Sequence, residues 1–188
     1  VSFPPERMLD LKDHKALDEV RRAAEKRGLF LNAATGGTDV ERLTAVLEAA
    51  SRLGCTVLRT VIGGAKIGGD RRNMAGKWQA FMKKTLNDLR ALVPVCERTG
   101  VSLALENHQD LTSDELIGLI REVSSPWIGL ILDVANPLGT AEDPDTFYKK
   151  VMPHIKGAHL KDYHIIPTDS GYLLARCALG EGVIDFPR

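Results

Sequence analysis

Glu106, Asp133 and His159 follow one another at intervals of 27 and 26 residues. Each closes a short apolar run: SLALE, IGLILD and IKGAH. Two carboxylates and a neutral imidazole make a mixed hard and borderline donor set without thiolate, suited to one divalent ion such as Mn²⁺, Co²⁺, Mg²⁺ or Zn²⁺. Taken singly, each has an ordinary reading, as a strand-end carboxylate, a turn cap or a hydrogen-bonded core histidine. Three at nearly equal intervals fit that reading less well, because buried acids are rarely left without a partner.

Residues two apart on an extended chain face the same side. His108 therefore projects beside Glu106 in SLALENHQD, as a candidate substrate contact or supporting donor, with a plain surface-loop residue as the alternative. Lys161 stands in the same relation to His159 and offers an ammonium to a substrate oxygen, or a salt bridge.

The elements that must position these groups alternate. Short apolar stretches (VSF, LFLNAA, TVLRTVI, SLALEN, IGLILDV, IKGAHLKD) are separated by amphipathic ones. A helix is expected over LKDHKALDEVRRAAEK with Gly28 as its stop. Another is capped by Thr38 or Asp39 and ends at Gly54, and a long one runs from near Asn73 to Arg98, bent near Pro94 and closed by Gly100. Two shorter helices are expected over about 113–123 and 145–152. The strands are apolar through their middles, as in a parallel sheet buried on both faces. An open doubly wound sheet would spread polar strand ends along a crevice, whereas a (β/α)₈ barrel brings successive C-terminal ends to one mouth. One βα unit between each pair of polar strand ends therefore favours the barrel. Six strands are two short of closure, and such barrels typically need about 250 residues. The chain opens at VSFPPERM without an initiator Met and stops at GVIDFPR. The expectation is a single TIM-barrel domain over residues 1–188, cut at both ends and seen without its first and last strands.

SLALENH, LILDVANP, IKGAHLKD and LGEGVIDF, in this order and spacing, resemble the motifs of the sugar phosphate isomerase/epimerase superfamily, the xylose isomerase-like TIM barrels that include ketose 3-epimerases. The resemblance runs from about Phe30 and is strongest from Ser102 to Phe186. It implies that Glu106, Asp133 and His159 hold one divalent metal, manganese among the candidates, with a fourth ligand, a glutamate on the last strand. Glu181 lies in a turn before that unit and does not match it. The metal would polarise a substrate carbonyl so that a proton on the neighbouring carbon becomes removable. Glu106 would act as both ligand and general acid/base. Asn136, three residues after Asp133, stands where many relatives carry a histidine, and is read as a substrate contact.

The implied activity is a metal-dependent isomerase or epimerase of a small sugar or polyhydroxy keto compound. The alternatives are a dehydratase or lyase of the 3-dehydroshikimate dehydratase type and a non-catalytic sugar-binding barrel. The superfamily also holds endonucleases with three zinc ions. Only five histidines occur here, His14 falls in a helix, His154 begins a strand at the wrong end, and 25 basic residues balance 25 acidic ones. A nucleic-acid substrate is not expected.

The glycine-rich stretch IGGAKIGGDRRN lacks P-loop spacing and reads as an active-site loop or lid rather than a phosphate cradle. Trp78 and Phe81 could close over a substrate, although packing on a helix face is the commoner role of such aromatics. Arg59 sits within a strand, on a face the sequence does not assign. Hydrophobic residues make up 44% and charged residues 27%, the balance of a well-packed globular domain. The three cysteines form no CxxC and point to reduced thiols in a cytoplasmic protein. No apolar run reaches the roughly 18 residues of a membrane span. A small carbohydrate-like molecule is the expected partner, with no membrane contact, and homo-oligomerisation is left open.

Overall fold

The computed structural model describes residues 1–63 and 70–186. Six parallel strands lie side by side in chain order: β1 (Ser2–Phe3), β2 (Asn32–Gly36), β3 (Val57–Val61), β4 (Ser102–Glu106), β5 (Ile128–Asp133) and β6 (Ile155–His159). Neighbours in sequence are neighbours in space throughout, the topology of a barrel wall; a doubly wound sheet would reverse direction once. The (β/α)₈ expectation stands as a six-stranded parallel part-barrel.

Helices α1 (Pro5–Met8), α2 (His14–Glu25), α3 (Val40–Arg52), α4 (Trp78–Thr99), α5 (Ser113–Val123) and α6 (Pro144–Val151) connect the strands. Their boundaries follow from local chemistry. Asp13, Asp39 and Asp143 each accept a hydrogen bond from the backbone N–H three residues on. Thr112 and Glu115 exchange bonds as a capping box. Gly100 ends α4 at φ 68°, a conformation that costs glycine nothing. In α3 the residues Leu43, Val46, Leu47 and Ala50 recur at helical spacing and are all 0% exposed. They pack with Leu58, Leu89, Leu103, Leu105 and Leu116 in one continuous core between helices and sheet.

Three sequence expectations are corrected. Strand β2 begins at Asn32 rather than in LFL, and Phe30 is 86% exposed. The long helix does not start at Asn73: Arg72–Met74 form one 3₁₀ turn, Gly76 at φ 71° breaks the path, and α4 begins at Trp78. His154 does not begin a strand but closes a 3₁₀ turn before β6. The sequence reading also missed a hairpin, β7 (Asp162–Thr168) with β8 (Gly171–Cys177), in which Thr168 pairs with Gly171 around a tight turn. Its YHIIP and YLLAR runs, split by Asp-Ser-Gly, carried that signal.

The sheet's inner face is lined by small residues. Ala34, Arg59, Ala104 and Gly129 lie in register across β2 to β5. Branched residues usually fill such a layer. Here two alanines leave room for one arginine between them, and Gly129 makes way for Lys156 and the His154 carbonyl.

A Cβ on Gly129 would lie 2.7 Å from the His154 carbonyl oxygen and 2.6 Å from Lys156 Cγ. We expect Gly129→Ala to cost about 1–3 kcal/mol by overpacking. Gly118→Ala, within α5 and with nothing within 4 Å of the new methyl, should instead stabilise by about 0.5–1 kcal/mol. Urea unfolding of both variants checks the opposite signs.

Candidate metal centre

Glu106, Asp133 and His159 are the last residues of β4, β5 and β6. Asp133 is in register with His159, while Glu106 lies opposite Ile131, two residues lower on β5. The tilt and stagger of barrel strands compensate for that offset. One ligand atom from each residue lies within 4.8 Å of the others. The two carboxylates are 2% and 1% exposed, while the His159 side chain is 42% exposed. The site thus has a buried floor and an accessible side.

A backbone-mimicking amide sets the spacing of the two acids. Asn107, directly after β4, donates from Nδ2 to the Asp133 carbonyl oxygen at 3.0 Å and accepts the Asp133 N–H at Oδ1 at 2.7 Å. The β4–β5 pairing is thereby carried past the end of the ladder.

Two cations sit against the carboxylates. Arg59, from the β3 position of the small-residue layer, donates from Nε to Glu106 Oε2. His159 Nδ1 lies 3.4 Å from the same oxygen. Lys161 Nζ donates to Asp133 Oδ2 at 2.5 Å and to Asn136 Oδ1 at 3.2 Å. Gln109 Nε2 also donates to Asn136 Oδ1, at 3.2 Å, and lies 3.4 Å from the Tyr163 hydroxyl. Burial pushes the Glu106 carboxyl up, but His159 and the Arg59 guanidinium more than offset it and bring its pKa down to about 2.

Of the sequence candidates, Glu106, Asp133, His159, Lys161 and Asn136 converge on this cluster. His108 lies beyond the end of β4, half-buried, where strand alternation no longer fixes its side. Asn107, Gln109 and Tyr163 were missed, while Arg59 was singled out without a face, which needed the register of β3. Asn107 was hidden because it points off the Glu106 face on alternation.

Next to the cluster, Asp110 accepts from the Gly63 N–H at 3.3 Å and from the Leu111 N–H at 3.0 Å, and burial raises its pKa. Arg71 forms a two-pronged bond with Glu115, at 2.7 and 2.6 Å, and its guanidinium lies 4.1 Å over the Trp78 ring. Trp78 Nε1 donates to the same glutamate at 3.0 Å, and Phe81 packs at 5.4 Å from Trp78. Arg71 and the two aromatics are thus engaged in a clasp between α4 and α5. The lid reading of the glycine-rich segment falls largely on residues 64–69, outside the described residues.

The donor set fits a divalent ion. Its atoms are close enough to share one centre, none is a thiolate, and Asp133 Oδ1 is buried without a hydrogen-bond partner among the described residues.

A barrel wall that gathers two carboxylates and an imidazole at its C-terminal strand ends, close enough to hold one metal ion, defines the class of TIM barrel. The chain belongs to the xylose isomerase-like TIM-barrel family, whose sequence model matches residues 2–188. It is 25% identical over 174 residues to the uncharacterized protein YihM of Escherichia coli (strain K12), covering 93% of this chain and 50% of that one. It is 23% identical over 172 residues to a 3-oxo-isoapionate decarboxylase of Pectobacterium atrosepticum, covering 90% and 58%. The chain therefore spans about half the length of these curated relatives. Among solved structures, 3-keto-D-glucoside 4-epimerase YcjR of E. coli superposes with a TM-score of 0.72 at 18% identity, covering 95% of this chain and 73% of that one. That likeness shows the fold.

Replacing Asn107 with leucine leaves the Asp133 N–H and carbonyl without partners. It should cost about 1–3 kcal/mol in denaturant unfolding and weaken metal binding about 10- to 100-fold in a titration. The Glu106 carboxylate, depressed from 4.5 to about 2, stabilises the metal-free fold fully above its ordinary pKa. That contribution is lost as pH falls through about 2. A ¹³C-carboxyl NMR titration should find the low midpoint, and Arg59→Gln should move it upward.

Proposed function

We propose that this chain belongs to a divalent-metal-dependent isomerase or epimerase acting on a small sugar or polyhydroxy keto compound, with residues 1–188 lying in a single barrel domain. The observation that carries the reading is the convergence of Glu106, Asp133 and His159 within 4.8 Å, together with the buried Asp133 Oδ1, which has no hydrogen-bond partner among the described residues. When bound, a divalent ion (Mn²⁺, Co²⁺, Mg²⁺ or Zn²⁺) supplies Lewis acidity that polarises a substrate carbonyl. Asp133 and His159 hold it, and Glu106 is ligand and proton acceptor. The low pKa that Arg59 and His159 impose makes Glu106 a weak base in the metal-free arrangement. Lys161, Asn136 and His108 face substrate oxygens in this reading. The 4-epimerase activity named for the structural neighbour supports it.

A lyase is the second reading, favoured by the decarboxylase named among the relatives. Both chemistries can use the same metal-polarised carbonyl, and they part on whether the product has lost atoms. Cys55 and Cys96 are buried free thiols, in keeping with a cytoplasmic setting, and among the described residues no helix is long and apolar enough to cross a membrane.

Metal analysis of the intact protein should find about one divalent ion per chain, and Glu106→Gln, Asp133→Asn or His159→Gln should each reduce it. A panel of neutral ketoses and polyhydroxy keto acids in D₂O, followed by NMR, should show deuterium entering at the carbon next to the carbonyl of at least one member in the wild type and not in Glu106→Gln. Metal-free protein with all three variants unchanged in metal content and ligand binding would sink the reading.

A further inference from the structure

The metal reading leaves the two cations unexplained. Arg59 and Lys161 are about three-quarters buried, with side chains 23% and 22% exposed, and both lie against the proposed ligands. A structural ion pair would account for either alone. Together they place two positive charges on two negative ones, and a divalent ion bound by the same carboxylates then leaves an excess of two positive charges in a largely buried space. One further carboxylate ligand would still leave an excess of one. Charge left unbalanced in a low-dielectric site is costly. A neutral sugar supplies nothing to balance it.

The geometry says where a balancing anion would lie. Arg59 uses only Nε on Glu106, and among the described residues its two Nη groups make no hydrogen bond. They form the fork that pairs with a planar anion. The alanines that flank Arg59 in register, Ala34 and Ala104, leave space beside it on the inner face, whereas Gly129, one strand further on, is covered by Lys156 and the His154 carbonyl. The cations stand at the metal ligands themselves, whereas TIM barrels hold substrate phosphates in loops and at a helix N-terminus. The anion must therefore be attached close to the reacting carbons, which suits a carboxylate on the sugar frame.

We infer that Arg59 and Lys161 are the anion-recognising pair of this site, and that its substrates are polyhydroxy keto acids, sugar acids carrying a carboxylate, rather than neutral ketoses. This rests on the metal reading above.

Isothermal titration of the Mn²⁺-loaded intact protein with D-gluconate, D-glucitol and D-fructose 6-phosphate separates the cases without relying on turnover. The first two differ in a carboxylate against a hydroxymethyl group. Gluconate should bind at least about tenfold more tightly than glucitol, the scale of a charge-assisted pair. The advantage should shrink with added KCl and fall to under about threefold in Arg59→Gln and in Lys161→Gln, with metal content retained. Equal binding of gluconate and glucitol, tighter binding of the phosphate, or an undiminished preference in both variants would overturn the inference. The wild-type comparison and its salt dependence decide the matter even where a variant fails to fold. Bound metal without an anion preference overturns this inference alone, and absence of metal overturns the metal reading with it.

Discussion

Two carboxylates buried a strand apart at the end of a parallel sheet are the constraint on which the rest of this structure turns. Glu106 and Asp133 are almost wholly removed from water, and each is held by a cation: Arg59 on one, Lys161 on the other. Without those partners the acids would repel one another and would take up protons. With them, the site is a preformed array of charge whose overall balance is close to neutral and whose ligand atoms already stand near one centre.

The supporting architecture follows from that array. An arginine can reach Glu106 from the layer below only if its neighbours in register are small, which accounts for Ala34 and Ala104 where packing alone would prefer branched residues, while Gly129 is small because Lys156 and the His154 carbonyl lie over it. The loss of apolar contact inside the wall is offset on its outer face, where leucines of α3, α4 and α5 form a continuous fully buried core with β3 and β4. Asp162 plays a similar anchoring part after β6. Its carboxylate accepts the N–H groups of Tyr163, Gly180, Gly182 and Ile184, so the chain leaving the hairpin is pinned back beside the site.

Much of this was legible in the sequence because it depends on periodicity. Nearly equal intervals between Glu106, Asp133 and His159 encode one helix and one strand per step, and the caps at Asp39 and Thr112 are written in adjacent residues. What stayed hidden depends on register across strands. Arg59 belongs to the site because Ala34 and Ala104 lie beside it, a relation between residues about 25 and 45 positions away that no local window contains. The β7–β8 hairpin was missed for another reason: its runs lie between IKGAHLKD and LGEGVIDF, where no element was assigned, although a turn between two short apolar segments suits antiparallel return.

The Asn107 bridge bears on how such a protein can change over time. Because a single side-chain amide fastens the two acidic strand ends to each other, the distance between them does not depend on the loops that continue beyond. Those loops can then vary in length and sequence while the acids keep their separation.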